Sequence, residues 1–300
     1  NEGEGWSPIG DINYNNNSRF MGTLDGNGNA IKNLYINTNS RQSGLFRRIN
    51  GTIKNLLIVN PHIYSEVDSI GALAGSDDFG KVENVGVIGG KIQSTASLSY
   101  VGGLVGQARY TRYYNCFTNC TVEGIRYVGG LFGNVNYFSS GLYSSFSYST
   151  VIGSRDVGGL AGSASNTTVS RIKDSFWDIE ASGQTTSAIG IGLTTQQMKT
   201  AQTFIDAGWH EKILEDGTFV WKLKDGEYPK LWFEKSNKIF FYTDEGYKIY
   251  KNNEWITVLT NYPSIEEFRE YGMKNLDRLT NKEFRKLKSD RVKIIVFKEA

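Results

Sequence analysis

Cysteine is nearly absent, with only Cys116 and Cys120 in 300 residues. They sit four positions apart in a strand-like segment, where an extended chain separates them by roughly 13 Å. That is beyond the reach of a disulfide without a bend. A C-x3-C pair with no further cysteine is also a poor zinc site, so both read as semi-buried thiols. Histidine is equally scarce, His62 and His210 alone. There is no H-E-x-x-H and no G-x-S-x-G, which excludes zinc-peptidase and serine-hydrolase chemistry from this stretch. No apolar run approaches ~18 residues, so membrane insertion is not expected. The net charge of +2 gives no general attraction to nucleic acid. Neither a cofactor nor a metal is implied. No secretory signal is recognisable, and the start at Asn1-Glu2-Gly3 reads as a trimmed fragment, so that absence says little about destination.

What is abundant is glycine, 34 residues against 4 prolines, together with 17 tyrosines. That mixture fits many short strands with tight corners, and no G-X-Y period is present. The glycines recur in a phrase. Val101 to Gly106 reads V-G-G-L-V-G, Val128 to Gly133 V-G-G-L-F-G, Val157 to Gly162 V-G-G-L-A-G and Ile70 to Gly75 I-G-A-L-A-G, with a weaker copy at Ser43 to Phe46. Aligned on Leu45, Leu73, Leu104, Leu131 and Leu160, the copies are 27 to 31 residues apart. A period of that size marks a solenoid or propeller-like array. The repeated glycines (Gly71, Gly75, Gly102, Gly103, Gly106, Gly129, Gly130, Gly133, Gly158, Gly159 and Gly162) are expected at sharp bends or where coils approach too closely for a Cβ.

A second phrase runs in phase with the first. It reads I-K-N-L at Ile31 and at Ile53, and V-E-N-V at Val82, with degenerate copies around Asn115, Ser144 and Asp174. Asn33, Asn55, Asn84 and Asn115 therefore read as a structural ladder whose amides hydrogen-bond from coil to coil. Each unit is too small to bury its own apolar face, so the units must stack. The expected architecture is mainly β: a right-handed parallel β-helix of six coils, roughly 29 Å long. The D-G-N-G-N run at Asp25 to Asn29 reads as a turn; it lacks the spacing and the downstream glutamate of a calcium loop.

The glycine phrases, the strands between them and the opening G-W-x-P-I-G at Gly5 resemble the GLUG-motif repeats of bacterial surface proteins. Those occur in adhesins and in non-catalytic regions of some immunoglobulin-A peptidases. The closing phrase is similar too: Phe176-Trp177-Asp178, Ser182 to Ser187, Gly192 to Lys199, Gly208-Trp209 and Tyr228-Pro229-x-Leu231, with His210 where aspartate is commoner. The resemblance covers residues 1–233. It implies a surface-exposed parallel β-helix, usually without its own catalytic site.

Residues 194–233 read as a cap over the open end of the helix. Thr194 and Gln197 have capping-box spacing, and Trp209, Trp221 and Trp232 supply apolar cover against edge pairing. From 234 to 300 the grammar changes to a small α+β module: a hairpin turning at Asp244-Glu245-Gly246, a strand at Trp255 to Leu259, helices opening at Ser264/Glu267 and Thr280/Glu283, and a last strand from Arg291 to Lys298. Its 14 Lys and Arg against 11 Asp and Glu include Arg278, Lys282, Arg285, Lys286 and Lys288, which read as a solvated face. The segment Phe268 to Leu276 resembles short modules of tail-fibre and structural proteins of phages of Gram-positive hosts.

Three function classes compete. The first is a non-enzymatic recognition rod on a bacterial surface or outside the cell, binding a glycan or protein of another surface. The corners between repeats, Asn60 to Asp68, Gln93 to Ser99, Gln107 to Tyr114 and Val135 to Ser140, are its candidate face. Arg109, Tyr110, Arg112, Tyr113, Tyr114 and Tyr137 stand out there because Arg and Tyr make versatile contacts at low entropic cost. The second is a phage-type tail fibre, which would be a virion component and a homotrimer. The third is a polysaccharide lyase or hydrolase, which needs clustered carboxylates. Asp77, Asp78 and Asp156 do not cluster, and Asp174, Asp178 and Glu180 are the best candidates. An ice-binding array is excluded, since the threonines show no regular period.

Overall fold

The computed structural model describes residues 5–10, 19–66, 69–136, 141–165, 171–214 and 217–234, and the backbone of four strands beyond them. The chain divides into two compact units, Asn1–Trp232 and Phe233–Ala300.

The first unit is a parallel β-solenoid. Strands Phe46–Ile49, Ala74–Asp77, Val105–Ala108, Phe132–Val135 and Ala161–Ala164 stack in one sheet. Strands Ser69–Ile70, Tyr100–Gly102, Arg126–Gly129 and Arg155–Gly158 stack in a second. The rest of each coil joins a long third sheet, in which Thr52–Val59, Lys81–Ser94 and Phe117–Glu123 are central. The glycine-phrase sheet holds five strands rather than six. The opening residues build strands Thr23–Lys32 and Tyr35–Thr38 of the long sheet, but among the described residues they reach the glycine-phrase sheet only through isolated bridges from Ile9 to Phe46 and from Phe20 to Ile49. Five coils at about 4.8 Å each make a stack roughly 24 Å high.

The glycine phrase does what its recurrence implies. Leu45, Leu73, Leu104, Leu131 and Leu160 are all buried in the core. The glycines are required by close approach, since none of the phrase glycines has a positive φ. A Cβ on Gly106 would lie 2.6 Å from Ile70 N and 2.7 Å from Tyr100 O.

The asparagines carry the special backbone. Asn55, Asn84 and Asn115 have φ of 54°, 55° and 53°, followed by Ser144 at 48° and Asp174 at 47°. This left-handed conformation suits Asn better than other L-residues with a Cβ. Their amides form the expected ladder: Asn115 Nδ2 donates to Asn84 Oδ1 at 2.9 Å, Asn84 Nδ2 to Asn55 Oδ1 at 2.9 Å, and Asn55 Nδ2 to Asp25 Oδ1 at 3.0 Å. Asn33 is a correction. It sits on a second left-handed corner with Asn60, whose Nδ2 donates to Asn33 Oδ1 at 2.9 Å. The register pairs Leu24 with Ile53 and Ile31 with Ile58, and the D-G-N-G-N run is a bulge within strand Thr23–Lys32 rather than a turn. Asn84→Ala is expected to cost about 2–3 kcal/mol in urea unfolding, from the left-handed backbone and two lost hydrogen bonds. Asn84→Gly should cost only about 1 kcal/mol, because glycine accepts the backbone.

Cys116 and Cys120 are free and buried, and burial pushes both thiols up to about 12. They stay protonated and unreactive, as part of the inner wall.

The cap is also displaced from its expected place. Phe117, Phe146 and Phe176 form one column of the long sheet, alternating with inward Cys116, Ser145 and Ser175, and therefore point outward. Trp221 packs 5.6 Å from the Phe146 ring, Trp209 5.9 Å from Phe176, and Phe204 4.8 Å from Trp209. The segment thus covers the flank of the long sheet with a second apolar cluster. Trp177 and Ile189 join the inner core at its last coil instead. The capping box at Thr194 and Gln197 is present and opens helix Thr195–Met198, followed by Ala201–Asp206.

In the second unit, strands Asn237–Thr243, Gly246–Lys251, Glu254–Leu259 and Ile294–Lys298 form one antiparallel sheet. The two helices read at Ser264 and Thr280 fall outside the described residues.

Candidate functional site

The segment from Gln107 to Tyr114 divides among three environments. Strand alternation places Tyr113 in the inward column Ile53, Val82, Tyr113, Leu142. It is 1% exposed and lies edge-on to Phe132 at 4.7 Å. Tyr113 is therefore core, and leaves the set of candidate binding residues. Its neighbours Arg112 and Tyr114 point outward, and Tyr137 lies outside the described residues.

Arg109 and Tyr110 stand on a corner organised by two buried aspartates. Asp77 Oδ1 accepts from the backbone N–H of Arg109 at 2.9 Å and of Tyr110 at 3.2 Å, while Tyr113 donates its hydroxyl to Asp77 Oδ2. Desolvation raises the Asp77 carboxyl above its ordinary value despite these donors. Asp78 meets three guanidinium groups, Arg19 Nε at 2.8 Å, Arg48 Nε at 3.4 Å and Arg109 Nη1 at 3.7 Å. Phe79, 56% exposed, stacks on Tyr110 at 4.6 Å and 11°. The corner is a charged base beneath an aromatic pair, of which Phe79 is exposed and Tyr110 half-buried.

Two residues further along, the outward face of the long sheet carries two adjacent columns. Lys81 aligns with Arg112, and Glu83 with Tyr114, Tyr143 and Lys173. The Tyr114 and Tyr143 rings stack at 4.9 Å and 12° and are half-buried. Lys81 Nζ lies 5.5 Å from the Tyr114 ring and 2.6 Å from Glu83. Gly141 leaves room for the Tyr143 ring, whose Cε2 would be 2.7 Å from a Cβ there. Side chains arranged this way can meet a polar ligand with flat apolar surface, hydroxyls and positive charge together.

Among the acidic candidates, Asp178, Glu180 and Asp156 have side-chain partners. Asp178 is fully buried; its Oδ1 accepts from Ala181 N at 2.8 Å and Thr195 Oγ1 at 2.9 Å, and its Oδ2 from Tyr228 Oη at 2.7 Å. Glu180 Oε2 accepts from Thr195 N at 2.7 Å. These two carboxylates fasten the following segment to the last coil. Asp174 occupies the left-handed corner, and its carbonyl accepts from Trp209 Nε1 at 3.0 Å. Asp156 pairs with Arg126 at 2.7 Å. Among the described residues, no three His, Cys, Asp or Glu side chains converge as a metal site would require.

No protein-family model matches the chain. A protein named "Putative Gly-rich membrane protein" of Evansella cellulosilytica is 39% identical over 136 residues, which is 44% of this chain and 15% of that protein. "Halomucin" of Haloquadratum walsbyi is 35% identical over 109 residues, 35% of this chain and 1% of its own length. The chain thus matches a small part of each of these relatives. The crystal structure of a "putative immunoglobulin A1 protease" from Bacteroides ovatus has a TM-score of 0.57 at 15% identity, covering 77% of this chain and 82% of that one. The fold is shared. Among the described residues, no helix is long and apolar enough to cross a membrane.

Phe79, Lys81, Tyr143 and Lys173 were not among the residues singled out from the sequence. Tyr143 and Lys173 had a signal, since each immediately precedes the polar position of its repeat, as Tyr114 does. Phe79 had none, because only the folded corner brings it against Tyr110.

Proposed function

We propose that this solenoid is a GLUG-type recognition module of a larger protein acting outside the cell. It binds a glycan or protein of another surface through outward aromatic and cationic side chains. The observation carrying this reading is the half-buried Tyr114–Tyr143 stack with Arg112 and Lys173 beside it. A surface location is supported by the names of the two relatives. Binding rather than cleavage is supported by the hydrogen bonds that occupy Asp178 and Glu180.

A glycan array probed with the wild-type chain, Arg112→Ala/Tyr143→Ala and Arg109→Ala/Tyr110→Ala tests the proposal. Wild type is expected to bind a defined subset, and the first double variant to lose it. Equal binding by all three proteins would remove both patches from the proposal. New reducing or unsaturated ends after incubation with a polysaccharide panel would replace the binder with an enzyme.

A further inference from the structure

Resting on that recognition reading, we propose that the outward strip of the long sheet takes a linear acidic polysaccharide, lying along the solenoid axis with its carboxylates on Arg112, Lys173 and Arg171, the exposed residue just before strand Ile172–Lys173. The first argument is unbalanced charge. Lys54 is paired with Asp25 at 3.2 Å and Lys81 with Glu83 at 2.6 Å. Arg112, Arg171 and Lys173 are exposed, and among the described residues none of the three has an ion pair. The segments 137–140 and 166–170, which precede the strip's strands in their coils, contain no Asp or Glu in their sequence. Glu83 is taken by Lys81, and exposed Asp174 stands beside Lys173, so three cations face one acid and positive charge is in excess, where counter-charge from a ligand is favourable.

The second argument is geometry. Arg112 belongs to one outward column, with Lys81 in the preceding coil, and Lys173 to the next column, two coils beyond Tyr114. Between them lie the stacked Tyr114 and Tyr143 rings and the low floor at Gly141. A polymer running along the axis meets the Lys81–Glu83 pair, then Arg112 beside Tyr114, then Tyr143, then Lys173, in successive coils spaced by about 4.8 Å. Sugar rings bring C–H surface and hydroxyls to the tyrosines, and uronate groups bring charge to the flanks. A neutral glycan would leave the cations unmatched. A duplex nucleic acid offers phosphate, but its bases are stacked inside the helix and would leave the tyrosines unmatched.

The test is equilibrium binding of the full chain to polygalacturonate and to alginate, with methyl-esterified polygalacturonate and duplex DNA alongside. Both acidic polymers are expected to bind, more weakly as salt is added. Arg112→Ala/Lys173→Ala should reduce affinity by about tenfold, the combined effect of two exposed ion contacts. These side chains are exposed, so an unchanged unfolding midpoint accompanies the loss. Equal binding of the esterified polymer, unchanged binding by the double variant, tighter binding of DNA, or no binding of either acidic polymer overturns the proposal. If neutral glycans bind on the array while acidic polymers do not, the recognition reading survives and this one fails. If nothing binds, this proposal fails together with the glycan form of the recognition reading.

Discussion

Asp77→Ala is expected to destabilise the solenoid by about 4 kcal/mol, read from urea unfolding. The loss leaves three donors without an acceptor: the backbone N–H groups of Arg109 and Tyr110 and the hydroxyl of Tyr113. A buried donor left unpaired costs about 1–3 kcal/mol. Tyr113→Phe removes one donor and leaves the other two satisfied, so it should cost about 1 kcal/mol. A loss below about 1 kcal/mol for Asp77→Ala would mean that this carboxylate does not organise the corner. The charge also has a pH signature. Burial raises the folded carboxyl above its ordinary 3.8, so the native state binds the proton more tightly than the unfolded chain. Its favourable contribution is complete below the unfolded value and is lost as pH rises through the folded one. On acidification, wild type should therefore gain stability relative to Asp77→Asn, which cannot titrate.

Gly106→Ala is expected to cost about 3 kcal/mol or more, although it adds only one methyl group. The added Cβ would meet backbone on several sides, at Ile70 N, Gly75 O and Tyr100 O, at 2.6, 2.7 and 2.7 Å. Backbone inside a stacked sheet cannot rotate away as a side chain can, so the coils must separate. Gly183→Ala is the control. That glycine has a φ of 68°, and a methyl group added there would meet nothing within 4 Å. Only the backbone preference is lost, at a cost of about 1 kcal/mol. Comparable losses at the two sites would mean that backbone freedom rather than close packing keeps glycine in the repeated phrase.

Much of the fold was legible because the repeat is self-consistent. Leucines recurring at a constant place must face a shared interior, and Leu73, Leu104, Leu131 and Leu160 are fully buried. Asparagine at a fixed place in each strand pointed to a ladder, and its left-handed backbone explains why Asn stands there. Asn33 was misplaced because Leu24 rather than Ile31 is the register partner of Ile53, and an apparent I-K-N-L copy cannot reveal that. The binding segment was legible in location but not in direction. Arg112, Tyr113 and Tyr114 read as one cluster, while strand alternation sends the middle tyrosine into the core.

By itself, the sequence determined the repeat length, the parallel stacking, the inward leucines and the close-packed glycines, because each follows from local pattern repeated at nearly constant spacing. The tertiary structure alone decided which outward columns align and that the tryptophan-rich segment lies along the flank of the long sheet. Both depend on pairings between distant residues in coils of unequal length. A column such as Glu83, Tyr114, Tyr143 and Lys173 exists only once the register between those coils is set.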